Sequence, residues 1–321
     1  MELRVKVIAH SRCSLTGKEI LTWELEYPRL IHSEFMTHRL FSRNAASSRA
    51  IPIKTILAQV RVAPAMPSRW GQNQPGMQAS QDLNNVLQTS AEWLWRQAAE
   101  KACQSAEKMD VLGLHKQVVN RVLEPYQWMK TVMTATELDN WFWLRDHTDA
   151  DPTIHALASL MWKALQASTP VTLNPGDWHV PYYNTKNVSG AWIKKVCYAD
   201  GDSLRDEGGI TLADALAISS SCCAQVSYRK LDDTMKKAKM VYSRLIESEP
   251  VHASPFEHQA TPMEAYKEVG LLINHPTQPM SWELGVTHVD RQSNLWSANF
   301  KGWIQHRQLI KNNACWAYEG K

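Results

Sequence analysis

Between Thr37 and Arg49 the chain sets His38, Arg39, Arg43 and Arg49 beside Ser42, Ser47, Ser48 and Asn44, with little acid nearby. Guanidinium forks and hydroxyls supply the donors that phosphate oxygens need, so the run could hold a phosphate. The same composition also describes a solvated polar turn. A second cluster, His115 to Arg121, puts Gln117 and Arg121 four residues apart. On a helix both would reach one ligand, or both would decorate a surface face. Arg145 ends the apolar run Trp141-Phe142-Trp143-Leu144, so it must snorkel to water or serve a partner in a pocket. His252-Ala253-Ser254-Pro255-Phe256-Glu257-His258 reads as a polar turn leading into a strand. The twelve histidines form no HExxH, and the six cysteines form no CxxC pair, so no metal is expected.

These groups need elements to position them. Val5 to Ala9 and Ile20 to Tyr27 alternate as strands do. Pro28 opens a helix with an apolar stripe of Leu30, Ile31, Phe35 and Met36. Residues Ile51 to Gln81 carry four prolines and read as a long ordered loop, whereas Asp82 to Met109 has helical spacing. A further helix is expected over Gly113 to Leu123, buried helices over Tyr126 to Leu144, and another from Pro152 to Leu165. Residues 170–210 read as a linker. Helices are expected over Thr211 to Tyr228 and Asp232 to Ile246, with a last one over Gly302 to Ile310.

The 321 residues carry 35 Lys+Arg against 32 Asp+Glu, a net charge of +3. That charge argues against nucleic acid as a partner through overall electrostatics. With 44% hydrophobic and 21% charged residues the chain is expected to be a globular protein. No stretch approaches the roughly 18 apolar residues of a membrane helix, and no secretory signal is read at Met1, so a cytoplasmic location with reduced thiols is expected. The excess of tryptophan, 14 against 5 Phe, is read chiefly as packing, including Trp93, Trp95 and Trp162.

Taken together the motifs resemble the flavin-dependent thymidylate synthases, the ThyX family. The family signature of Arg-His-Arg, seven residues, Ser and a nearby Arg is matched by Thr37-His38-Arg39, Ser47 and Arg49, except at its first position. Arg121 to Pro125 match an Arg-x-x-x-Pro helix, and Asn140 with Leu144-Arg145 match an Asn, Leu-Arg pair. Ala224-Gln225-Val226-Ser227 and His252 to His258 are similar to two motifs that ordinarily precede the signature but follow it here. The chain thus resembles a circularly permuted, phage-type member, which is feasible where termini lie close and the new break falls in a surface loop.

The resemblance implies an α/β (α+β) fold, an antiparallel sheet flanked by helices, as one catalytic domain over 1–321. Residues 1–169 would carry the signature and nucleotide part, and 211–321 the permuted flavin part. It implies FAD as cofactor, methylenetetrahydrofolate and NADPH as co-substrates, a pyrimidine deoxynucleotide monophosphate as substrate, and a homotetramer. Arg145 would bind and polarise the pyrimidine through fixed electrostatics. Glu34, Ala45, Ser47, Ser48, Arg49 and Arg121 would complete the nucleotide site. Thr37, His38, Arg39, Leu40, Thr134, Asn140, Ser227, His252, Ser254 and Glu257 would line the flavin site.

Two guanidiniums of the family pattern are missing, at Thr37 and Gln225, and Arg43 could replace one. Ala45 stands where the family has a nucleotide-contacting Glu, while Glu34 occupies a position usually filled by Gln. If the acid has moved to Glu34, dUMP remains the expected substrate. If Glu34 meets the base edge, cytosine is favoured, because a site built for one base leaves polar groups unpaired against the other. Methylation of dUMP therefore leads, and hydroxymethylation or methylation of dUMP or dCMP is the close alternative. A non-catalytic nucleotide- or RNA-binding protein of the same fold is the reading from a different class.

Overall fold

The alternation in the first thirty residues builds a hairpin. β1 (Arg4–Cys13) and β2 (Glu19–Pro28) pair antiparallel, with a register shift between Val7 and Ala9. β2 buries Leu21, Trp23, Leu25 and Tyr27 on one face, as a period-2 strand should. The computed structural model describes residues 2–182, 184–188, 191–193, 195–198, 201–204, 211–227, 232, 234–264 and 282–318; for 184–204 and Ser227 it describes the backbone only.

β2 also pairs antiparallel with β4 (Trp128–Ala135), whose outer edge takes the short β3 (Ser42–Ala45). β5 (Val171–Leu173) pairs parallel with β1 and closes the order β3-β4-β2-β1-β5. The fold is mixed α/β with an antiparallel-dominated sheet. Two findings in this sheet and the segment after it depart from the sequence reading. The apolar run from Tyr126 was expected to be helical, yet 128–135 is a strand. Its two buried faces mask the alternation, so it reads as a continuous apolar run. The segment expected as a linker begins with β5, and its backbone forms two hairpins, β6 (Asn184–Val188) with β7 (Ala191–Ile193) and β8 (Lys195–Tyr198) with β9 (Gly201–Leu204).

One sheet face carries α1 (His32–Phe35), α5 (Asp139–Arg145) and α6 (Pro152–Gln166). Ile31, Phe35, Trp141, Ile154, Leu157 and Met161 meet the apolar face of β2 there. Full burial of each such aliphatic side chain contributes about 1.5–3 kcal/mol. On the opposite face α7 (Leu212–Ala224) sets Ala215, Leu216, Ile218, Cys222 and Cys223 with Val132 of β4. α8 (Met235–Glu247) joins that cluster through Ala238.

A third layer corrects the expected loop. α2 (Ile53–Val62) occupies its start, because Ile53, Ile56, Leu57 and Val60 form one helical stripe. It packs on α3 (Asn85–Val111) through Ala99, Cys103 and Ala106. The helix expected over 113–123 is only α4 (Lys116–Val119) followed by a 3-10 turn to Tyr126. Toward the C-terminus β10 (Ala260–Pro262) pairs with β14 (Trp303–Gln305), where a helix was expected. β11 (His288–Val289), β12 (Leu295–Ser297) and β13 (Phe300–Lys301) form a small antiparallel sheet. Phe300 and Trp303 cover Cys13, Ile20 and Leu173. Of the tryptophans read as packing, Trp95 donates Nε1–H to the Ala65 carbonyl, whereas Trp93 stands 59% exposed on α3.

Candidate functional site

Arg145 closes α5, whose buried Trp141 fixes the helix on the sheet. Its Nε donates to His38 Nε2 at 3.0 Å, Nη1 donates to Glu34 Oε2 at 3.1 Å, and Nη2 reaches Thr37 Oγ1 at 3.4 Å. The Arg145 side chain is 20% exposed and that of Glu34 43%. His38 stacks on Phe41 and meets Trp141 edge-on at 4.7 Å between ring centres. Burial, then Arg145 and Arg43, push its pKa down to about 4, so the ring is neutral and its Nε2 accepts the arginine's hydrogen bond. Thr37 Oγ1 donates to the Glu34 carbonyl at 2.7 Å, tying the turn together.

The second cluster converges on Glu124. Its Oε1 accepts from Ser48 Oγ at 2.8 Å and from Arg121 Nη1 at 3.0 Å, and Arg29 Nη2 lies 3.0 Å away. Two guanidiniums against one carboxylate leave a net positive charge and unused N–H donors, which suits a phosphate. Arg49 is exposed and Ser47 half-buried beside this cluster in sequence. Asn120 Nδ2 holds the Ser48 and Ile51 carbonyls at 2.7 and 3.0 Å. Arg29 and Glu34 stand five residues apart along the helical segment 29–35, roughly 8–10 Å of rise. Sequence reasoning missed Arg29 and Glu124: Arg29 meets its partner across a long stretch of chain, whereas the i,i+3 spacing of Arg121 and Glu124 was a local signal left unused.

The expected flavin residues fall in two groups. Arg39, Thr37 and Leu40 are exposed on the signature turn, and Asn140 is exposed on α5. The 252–258 turn lies against β3: Asn44 Nδ2 donates to Ser254 Oγ at 3.3 Å and Asn44 Oδ1 meets His258 Nε2 at 3.0 Å. Ser254 and His252 are exposed, while Glu257 is paired with Arg307, a cation the sequence reading did not include. Thr134 is fully buried on β4, so it can act on a ligand only through another residue. The side chain of Ser227 lies outside the described residues.

Ala45 sits half-buried on β3 opposite Thr131. Arg43, the expected substitute for a missing guanidinium, donates Nη1 to the Phe35 and His38 carbonyls at 3.1 and 3.0 Å, so it braces the turn. Gln225 is buried and bonds Ser221 and the Asp232 backbone, far from presenting a donor outward. Among the described residues no group of three or more His, Cys, Asp or Glu could hold a metal ion. No described helix is long and apolar enough to cross a membrane.

The family of thymidylate synthase complementing proteins matches residues 6–171, more than half of the 321 residues. The chain belongs to this family. It is an enzyme of the ThyX type, whose general chemistry is flavin-dependent C5 methylation of a pyrimidine nucleotide. The match covers β2, β3, β4 and most of β1, the signature turn and Arg145, but only the first residue of β5 and not the 252–258 turn. Among solved structures, a UMP/dUMP methylase PolB from Streptomyces cacaoi bound with 5-Br UMP is 15% identical, over 52% of this chain and 89% of that one, with a TM-score of 0.42. The same protein bound with 5-Br dUMP is 14% identical over the same shares, with a TM-score of 0.39. No curated protein matches the chain.

Proposed function

We propose that this ThyX-type enzyme transfers a one-carbon unit from methylenetetrahydrofolate to C5 of a pyrimidine deoxynucleotide, with dUMP to dTMP as the leading reaction. The reading includes FAD as cofactor, NADPH as reductant, a permuted motif order and a homotetramer. The observation that carries it is the pair of arginine-bearing sites at the two ends of residues 29–35: Arg145 on Glu34 and neutral His38, and the net positive cluster of Arg29 with Arg121 and Ser48 on Glu124. One end suits a pyrimidine ring and the other its phosphate. The outward donors Arg39, Asn140, His252 and Ser254 are guanidinium, amide, imidazole and hydroxyl. That donor set fits the phosphates and ring carbonyls of FAD, which would supply the redox chemistry when bound. Arg145 would stabilise negative charge on the pyrimidine and raise the nucleophilicity of C5. The apolar outer face of α3, with Val86, Leu87, Trp93 and Leu94 exposed, supports self-association.

A second reading is favoured by one contact. The Glu34 carboxylate lies at Arg145, beside the group assigned to the base. A carboxylate there would accept from the exocyclic amino group of cytosine and repel a uracil carbonyl, which supports dCMP methylation or hydroxymethylation. Purified enzyme given FAD, the folate, NADPH and either nucleotide, with products read by mass, separates the two. The leading reading expects dTMP from dUMP and no modified dCMP. The second expects a modified dCMP, and a drop of about tenfold or more in dCMP kcat/KM in E34Q, the cost of one charged hydrogen bond. No C5-modified product from either nucleotide would sink both.

A further inference from the structure

On the sheet face opposite Trp23, four adjacent strands each contribute one polar residue to a continuous seam. Thr22 of β2 and Thr134 of β4 are direct cross-strand partners, with hydroxyls 2.7 Å apart. Ser11 of β1 lies off that register, and His179 bridges the gap, its Nδ1 2.9 Å from Ser11 Oγ and its Nε2 2.9 Å from Thr22 Oγ1. Asn44 of β3 is off register on the other side, and there His258 bridges, with Nδ1 2.8 Å from Thr134 Oγ1 and Nε2 3.0 Å from Asn44 Oδ1. The seam ends where Asn44 Nδ2 donates to Ser254 Oγ.

Protons can occupy this seam in only one direction once Asn44 is placed. Its amide nitrogen faces Ser254, so its oxygen faces His258, and His258 must donate from Nε2. A neutral imidazole has one N–H, so Nδ1 accepts the single proton of Thr134. Thr134 must then accept from Thr22, Thr22 from His179 Nε2, and His179 Nδ1 from Ser11. Burial pushes both histidines down to about 3, which keeps each ring neutral. Every bond therefore points toward Ser254, the exposed end. Hydrogen bonds aligned in one sense polarise one another, and an accepted bond makes a hydroxyl a better donor.

We propose that the seam is a relay of fixed polarity that turns the Ser254 hydroxyl proton outward, as a donor to an oxygen acceptor of bound FAD, with His258 and Asn44 as positioning residues. That FAD is the acceptor rests on the proposed function; the polarity does not. It gives buried Thr134 a role toward the flavin through three residues, His258, Asn44 and Ser254, and it ties the 252–258 turn to the sheet by orientation as well as by packing.

Two measurements test it. In full-length protein labelled with 15N-histidine, without added flavin, nitrogen shifts read the tautomers, assigned with H179Q and H258Q. Both rings should be neutral and Nε2-protonated from pH 7 down to about 5; an Nδ1–H tautomer in either ring overturns the proposal. FAD titrations then compare wild type, T134V, S254A and the double variant. T134V should weaken FAD several-fold, T134S should restore it by keeping the hydroxyl, and T134V should add nothing in the S254A background. Additive losses, or a silent T134V, would reduce the seam to a structural contact and overturn the relay. Failure of wild type to bind FAD would sink the functional reading alone, because the tautomers are read without flavin.

Discussion

Arg145 is held from three sides, by a neutral imidazole, a carboxylate and a hydroxyl, yet part of its guanidinium stays open to a ligand. A charge fixed in this way stabilises a developing anion without reorganising. R145A is expected to lower kcat by about 10²–10³ while the protein still binds FAD, read by flavin absorbance and product assay. Retained turnover would refute the assignment. The arginine itself was legible in sequence, because a cation ending Trp-Phe-Trp-Leu must have a purpose. Its partners were legible only as types. Glu34 was noted as an acid out of place, but nothing local says that it reaches a residue 111 positions away. Glu124 was passed over entirely, since a glutamate in a short helical segment ordinarily faces water.

Elements transmit that placement. α6 backs α5, with Phe142 meeting Trp162 edge-on, and α6 begins with Asp151, whose carboxylate accepts from the Thr153 and Ile154 amides at 2.8 and 3.2 Å. D151A should cost about 1 kcal/mol, seen as a lower urea midpoint at unchanged slope. An unmoved midpoint would show that the cap contributes nothing to global stability. α6 was readable because it has one wet side, and β2 because polar Thr22, Glu24 and Glu26 alternate with Leu21, Trp23, Leu25 and Tyr27, even though part of that second face is buried. β4 was misread because both its faces are buried. α2 was missed because prolines at 52, 64 and 67 bracket ten good helical residues and lend the whole stretch a loop's composition.

At the scale of the whole molecule, acid should be the weak point. His179 and His258 have folded pKa values near 3, and burial pushes His306 to about 4, all below the ordinary 6.5. As pH falls below 6.5 the unfolded chain takes up protons that the folded chain refuses. Stability contributed by the neutral rings is therefore complete above about 6.5 and is lost toward pH 4, with a slope of up to about 1.4 kcal/mol per pH unit for each ring. Urea midpoints should hold from pH 7.5 to about 6.5 and fall from there to 4.5, less steeply in H306Q. A flat profile would show that these rings are not buried neutral. The net charge of +3 could not have suggested this, since it counts histidines as neutral everywhere. The joining of the two ends of the chain was equally invisible to composition: α7 lies on Val132, β10 exchanges backbone bonds with His179, and Asn299 grips the Leu40 carbonyl. All these joints are non-covalent. A cut between residues 204 and 211 would remove a tether and leave each of them intact. Two separately made pieces could then find one another, giving a split enzyme whose activity is set by the supply of its scarcer half.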